Sequence, residues 1–448
     1  MLKNKIKVKI CLAYVFIFLP SLCFSQNLDS LDQSKLYPFI VDSIKIVGNE
    51  TTKDFVIFRE LTFTIGDTLT NEIAFYNRER VYSLGIFNHV YFVPSVIGGR
   101  NILNIEVEES WYIYPIPYAA TKQGDLSKLS YGIFLKLKNF RGRNETLTAA
   151  FIFGYDPAYS LEYYNPNLLG DQNIFFSSKI GYANISNRSP QAEFLYGQAF
   201  TQKFITAQVL LGRRFGLFHK LYVSSGITNI ATQDYIPGIN ASNDRIDNNF
   251  NIGVGYEFDT RDLLMFPKDG IYLNLQYFFK GLGIDNINYR SSSIDFREYR
   301  KLFGKLISKW RFASRITSGN NVPFYDRPIL GLDEKIRGHS SEKFEGDDYY
   351  TGAIELYYPI IEELNIDLTF IPIIPDRLLS YRVGFYTQIF AETGVAKFKK
   401  EPLAISNFNS GYGLGITLLV LPYQLFRVEV AFNEKMKAEL ILDLGISF

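Results

Sequence analysis

The closing segment AELILDLGISF alternates with a period of two. Ala438, Leu440, Leu442, Leu444, Ile446 and Phe448 fall on one face, and Glu439, Asp443, Gly445 and Ser447 on the other, with Ile441 the apolar misfit. FRVEVAF just before it behaves alike: Phe426, Val428, Val430 and Phe432 oppose Arg427, Glu429 and Ala431. A pleated strand places successive side chains on opposite faces, so such rows suit a sheet with lipid on one side and water on the other. The pattern recurs from Trp111 to Phe448. It predicts sixteen strands, beginning near Trp111, Tyr131, Glu145, Tyr159, Ile174, Phe204, Leu221, Asn251, Gly270, Ser292, Lys305, Tyr350, Val383, Tyr412, Leu425 and Ala438.

Connections after even-numbered strands are mostly short (NLLGDQN, RFGLFHK, KLFGK, LPYQ), whereas several after odd-numbered strands are long and polar. Short turns on one side and long loops on the other characterise outer-membrane barrels. Residues 360–382 depart from the rule, being long and apolar where a short turn is expected. They read either as extended strand or as a segment at the membrane interface. A closed barrel leaves no backbone edge unpaired in lipid. The competing reading, a soluble sandwich, is opposed by the terminal Phe448, the outward apolar rows and the amino-terminal leader.

That leader is MLKNKIKVKICLAYVFIFLPSLCFSQ. Four lysines precede an apolar run and small residues, which predicts a signal peptide over residues 1–25. A lipid anchor on Cys23 is the alternative, disfavoured by the bulky Leu22 before it. Cys11 and Cys23 are the only cysteines, so a chain cut after Ser25 has none and is without disulfide or thiolate chemistry. Its charge becomes 43 Lys+Arg against 46 Asp+Glu, or −3, which offers no basic surplus for nucleic acid. After the leader no apolar run approaches the roughly 18–20 residues of a spanning helix.

Residues 26–39 read as a linker, and residues 40–109 as a separate α+β module. IVDSIKIVGN is a strand with a Gly-Asn turn. TTKDFVIFREL and TNEIAFYNRERVYSLGIF have helical spacing, the second with Ile73, Tyr76, Arg80, Val81 and Leu84 near one face. Two strands follow, giving the order β-α-α-β-β.

Four stretches carry a resemblance. IVGNETTKDFVI and LGIFNHVYF lie in the module. FDTRDLLMFPKDG contains Asp259, Arg261, Asp262, Pro267 and Gly270, and IRGH spans Ile336–His339. In order and spacing the chain resembles the BamA/TamA superfamily of outer-membrane assembly and translocation barrels. The resemblance implies one periplasmic POTRA module followed by a sixteen-stranded antiparallel transmembrane barrel. It also implies that the loop bearing Arg337 and Gly338 folds back into the lumen, where Arg337 meets Glu355 and Glu392; the family usually has Asp at the latter position. The pleat agrees independently, since Glu355 shares a face with Thr351, Ala353 and Tyr357, and Glu392 with Gln388 and Tyr386. The competing reading of Arg337 is a solvated loop charge. His339 replaces the family's aromatic residue, and reads either as a plain loop histidine or as a pH-sensitive contact.

The first strand, WYIYPIPYAAT, holds Pro115 and Pro117 two residues apart, so both missing N–H groups would face the same neighbour. In the family the first and last strands pair weakly. Pro115, Pro117, Gly445 and Phe448 therefore mark an expected seam at which a client strand could add by edge pairing. The alternative leaves the prolines in the linker to the module.

No catalytic constellation is present in the sequence. His89, His219 and His339 are scattered, and no G-x-S-x-G elbow occurs. GYGLGITL lacks the last glycine of a dinucleotide loop, so its glycines read as lumen space or strand bending. Asp347–Asp348 read as a solvated loop end rather than a metal site. The expectation is a non-enzymatic protein without cofactor. Its partners would be outer-membrane lipids, nascent outer-membrane or exported proteins, and accessory proteins. A passive pore with a docking module is the alternative function, and a hydrolase a third reading, opposed by the missing nucleophile–base pairs.

Overall fold

The computed structural model describes residues 37–122, 125–320, 322–371 and 374–446. The leader and most of the linker lie outside the described residues.

The module comprises β1 (Phe39–Ile40), β2 (Ser43–Val47), α1 (Asp54–Phe58), β3 (Thr68–Leu69), α2 (Asn71–Tyr82), β4 (Phe87–Ile97) and β5 (Arg100–Glu109). Its three-stranded sheet has the order β2-β5-β4, with β2 parallel and β4 antiparallel to the central β5. Val56, Ile57, Val81, Leu103 and Ile105 are fully buried between the helices and the sheet. Thr70 caps α2 by accepting from the Ile73 N–H. The face α2 buries is shifted from the one its spacing suggested. It runs through Ala74, Asn77, Arg80 and Val81, while Ile73 is 36% exposed. The cause is chemical: Asn77, Glu79 and Arg80 are buried with partners, so they occupy positions that a purely apolar stripe would fill.

The remainder is one antiparallel sheet of sixteen strands in sequential order. Its strands are β6 (Ile113–Lys122), β7 (Asp125–Phe140), β8 (Glu145–Gly154), β9 (Ala158–Asn165), β10 (Ile174–Ser186), β11 (Thr201–Phe215), β12 (His219–Thr232), β13 (Ile246–Asp259), β14 (Gly270–Lys280), β15 (Asn288–Lys301), β16 (Ile307–Asn320), then β19 (Asp348–Asp367), β20 (Ser380–Lys397), β21 (Asn409–Leu421), β22 (Gln424–Asn433) and β23 (Ala438–Ile446). Between β16 and β19 the long loop forms its own small hairpin, β17 (Ile329–Leu330) with β18 (Phe344–Glu345). A second long loop, after β10, carries helix α3 (Pro190–Tyr196).

Alternation sorts side chains as a barrel requires. On β11 and β12, Ile205, Val209, Leu211, Leu221 and Val223 all face outward and are exposed, whereas Gln202, Tyr222 and Ser224 are buried. Residues 360–382 prove to be strand at both ends, with a connection between them. β19 continues to Asp367 and β20 starts at Ser380, joined by a connection over residues 368–379. Bulges between Pro359 and Ile361 and between Ile361 and Leu364 absorb the extra residues, which is why the segment breaks a simple period-two reading.

The module sits against the mouth formed by the short turns. Its core is continuous with Leu263, Phe266, Tyr386, Leu419 and Leu421 of the barrel. Polar contacts hold it there. Glu60 accepts from Arg214 at 2.6 and 2.9 Å, Glu79 from Arg382 at 2.8 Å, and Lys138 reaches the Gly85 carbonyl at 2.9 Å.

Candidate functional site: the lumen latch and the seam

The loop between β16 and β19 turns inward at Ile336–His339. Arg337 is enclosed by three strands. Its guanidinium donates to Glu355 on β19 at 2.6 Å, to Glu392 on β20 at 2.8 and 3.0 Å, and to Glu429 on β22 at 2.8 Å. Its backbone N–H also donates to Glu392. The guanidinium carbon lies 3.5 Å from the centroid of the Phe390 ring, a cation–π stack. A planar fork with several N–H donors can serve three carboxylates at once, which a lysine ammonium on a flexible stem cannot match. Burial would lower the Arg337 pKa, but Glu355, Glu392 and Glu429 raise it above the ordinary arginine value, so the side chain stays charged.

Backbone space makes this approach possible. Gly338 has φ +92°, and a Cβ there would meet the Phe432–Asn433 backbone at 3.1 Å. At Gly411 a Cβ would lie 1.7 Å from the Arg337 carbonyl oxygen. The first glycine of GYGLGITL thus supplies room for the loop rather than a nucleotide.

The same loop grips the last hairpin. The Gly338 N–H donates to Glu439 on β23 at 2.9 Å. His339 is buried, with Nδ1 2.9 Å from Glu342 and Nε2 2.8 Å from Glu434 in the β22–β23 turn. A histidine flanked by two carboxylates satisfies both only as imidazolium, because the neutral ring has one donor. Burial alone would lower its pKa; the bonds to Glu342 and Glu434 raise it overall.

Sequence reasoning found Arg337, Glu355 and Glu392 but not the roles of Glu429, Glu434 or Glu439. Glu429 had a readable signal, being an acid on the water face of FRVEVAF. Asp347 and Asp348 are not solvated. Asp348 accepts from the Thr317 N–H at 2.7 Å and Asp347 from the Lys399 N–H at 3.1 Å, both in a buried loop base. No cluster of three metal-type ligands occurs among the described residues.

The turn after β13 is a platform for the module. Arg261 grips Asp259 with two bonds of 2.8 and 2.7 Å. Asp262, buried, accepts from the N–H groups of Leu263 at 2.8 Å and Lys268 at 2.9 Å, on either side of Pro267. Gly270, at φ +112°, closes the turn where a Cβ would come within 2.5 Å of the Thr260 carbonyl oxygen. α2 docks on it, with Tyr76 donating to the Thr260 carbonyl at 2.9 Å and Ser83 accepting from the Leu264 N–H at 3.0 Å.

At the seam, β6 pairs with β7 in unbroken register from Ile113↔Leu137 to Thr121↔Leu129, including Pro115↔Leu135 and Pro117↔Ile133. Proline has no donor, so that ladder must use the N–H groups of Tyr114, Ile116 and Tyr118. Pro115 and Pro117 therefore turn their donorless nitrogens to the opposite edge. Gly445 pairs with Leu425, and Phe448 lies outside the described residues. Among the described residues no ladder joins β6 to β23.

Residues 139–448 match the model of the Omp85 superfamily domain, more than half of the chain. The chain belongs to the Omp85 superfamily. Its members are assembly and translocation factors of the outer membrane. Residues 39–110 match the POTRA model, described as a surface antigen variable number repeat. Among solved structures, BamA from Haemophilus ducreyi lacking POTRA domains 1-3 is similar at 17% identity and a TM-score of 0.52, covering 91% of this chain and 83% of that one. CdiB from Escherichia coli is similar at 11% identity and a TM-score of 0.55, covering 91% and 75%. Both likenesses concern the fold: an Omp85 barrel preceded here by a single POTRA module.

Proposed function

We propose that this Omp85 protein inserts or exports polypeptides at the outer membrane. Clients bind by strand addition, on the POTRA module and at the seam between β6 and β23. The observation that carries the reading is the seam itself. Every other neighbouring pair in the sixteen-strand sheet is laddered, whereas the edge of β6 that faces β23 lacks donors at Pro115 and Pro117. An edge strand with open backbone positions is a ready template for an incoming strand. Arg337, Gly338 and His339 act as a latch, holding the β22–β23 hairpin to the loop while, among the described residues, no ladder ties β23 to β6. A passive pore fits less well, because the latch loop enters the lumen and the module is packed on the opposite mouth.

The test is a double substitution, Pro115→Thr with Pro117→Thr, which restores two donors to the seam edge. The barrel should become more heat-resistant, and insertion of a test barrel into vesicles by the purified protein should slow. Unchanged heat resistance together with unchanged insertion would sink the seam reading.

A further inference from the structure

β19 outruns its neighbour. β16 pairs with it only from Tyr349 to Tyr357, so among the described residues no strand lies beside positions 358–367 on that side. The opposite side stays laddered to β20 as far as Asp367↔Ser380. At ~3.3 Å per residue the open edge spans on the order of 30 Å.

Three properties of this edge converge. Its outward face is apolar: Tyr358, Ile360, Ile361 and Leu364 are 49, 55, 48 and 40% exposed and continue the row begun by Ile354 and Leu356 on the barrel wall. Among the described residues its backbone groups have no ladder partner on that side, which leaves a row of donors and acceptors open to another strand. Behind it lies a cavity of about 800 Å³ between β19, the turn after β15 and helix α2. The cavity is lined by the cations Arg78, Lys268, Lys301, Lys305 and Arg382 against the carboxylates Glu362 and Glu363, and Glu79 beside the lining pairs with Arg78 at 2.7 Å and Arg382 at 2.8 Å, which leaves a surplus of two positive charges. Lys305 pairs with Glu362 and Lys268 with Glu363, while Lys301 rests 5.6 Å from the Phe75 ring centroid and meets no carboxylate among the described residues.

A partner that satisfies all three is an extended strand, apolar toward the membrane and acidic toward the cavity. That is the pattern of transmembrane strands such as β23, in which Leu440 and Leu442 oppose Glu439 and Asp443. We infer that the open edge of β19 is a periplasmic docking line for incoming strands of this kind, separate from the seam and from the POTRA edge. The inference rests on the assembly reading above and adds to it the point of entry and the charge character of the client. The two bulges twist the edge and limit the length of strand it can pair, which guards it against open-ended aggregation.

The test places a photoreactive residue at Glu362 in the full-length protein, reconstituted in phospholipid vesicles. The probe is a synthetic peptide of residues 438–448, AELILDLGISF. Crosslinking to the peptide is expected. It should fall at least tenfold when Glu439 and Asp443 of the peptide are both lysine, and again with the ordinary peptide on the Lys301→Glu protein. Heat-dependent gel migration of that variant checks that the barrel is intact. Label found only on phospholipid would make the edge a membrane contact and overturn the inference, as would equal capture of the lysine-bearing peptide. Either result leaves the assembly reading standing. That reading fails separately if the unaltered protein inserts no test barrel into vesicles.

Discussion

The two ends of the barrel are held by ion clusters of opposite composition. In the lumen Arg337 faces three carboxylates, Glu355, Glu392 and Glu429, and Lys309 adds a longer contact of 3.4 Å to Glu355. At the mouth that carries the module one carboxylate, Glu60, faces Arg214 at 2.6 Å, Arg80 at 2.8 Å and Arg59 at 3.5 Å. Each cluster is centred on one residue, and each ties a loop or an appended module to the barrel wall. Burying such groups is costly unless they are paired, so removing the central residue leaves several like charges together without the partner they share. The lumen cluster ties the closing hairpin to the latch loop, whereas the mouth cluster ties the module to the turns. They should therefore fail in different ways.

Arg337→Ala should have the largest effect, on the order of 3–5 kcal/mol, because three acids are left buried without their shared donor. The expected readout is a lower unfolding temperature of the barrel and proteolytic cleavage of the loop between β16 and β19, with the module still docked. Arg337→Lys should restore only part of the loss. Glu60→Gln should cost about 1.5–3 kcal/mol, the worth of charge-assisted hydrogen bonds. It should loosen the module while leaving barrel melting nearly unchanged, as read by cleavage between the module and β6.

Gly411→Ala should cost about 1–3 kcal/mol through overpacking. Its Cβ would collide with the Arg337 carbonyl, so the latch should lift without any change in charge. If this variant matches Arg337→Ala in loop cleavage, position matters more than charge in the lumen cluster.

The smallest effects are those of pH, and they run in opposite senses. Burial would raise the Glu60 pKa, but Arg214, Arg80 and Arg59 hold it near 2. Its contribution is complete above the ordinary value of about 4.5 and is lost as pH falls toward 2. His339 has a raised pKa, so its contribution is complete below the ordinary value of 6.5 and is lost as pH rises through the raised value. Loop cleavage should thus increase on the alkaline side. His339→Gln should abolish that pH dependence.

Legibility followed the range of the interactions. Strand faces are local, two residues apart, and the alternation in AELILDLGISF or FRVEVAF is visible without a structure. Arg337 and Gly338 were found through a motif, and Glu355 and Glu392 through the family resemblance, with which their place on the pleat agrees. Glu434 and Glu439 were not found, because nothing local distinguishes an acid in a turn or near a strand start from a solvated one. The module's seat was also invisible. It depends on pairs such as Tyr76 with Thr260 and Glu79 with Arg382, which are distant in sequence. Helix α2 misled for the same reason: charges that bury against the barrel look like a solvent face when the helix is read alone. The long hairpin of β19 and β20 was ambiguous because its bulges interrupt the period that identifies a strand.

The most direct test of the central claim, that the seam accepts client strands, is a photoreactive residue replacing Ser447 in intact cells, followed by identification of what it captures. Nascent outer-membrane or exported chains attached at that position are the predicted result. Capture of β6 alone, in a protein that conducts ions freely after purification, would contradict the account and leave a pore in its place.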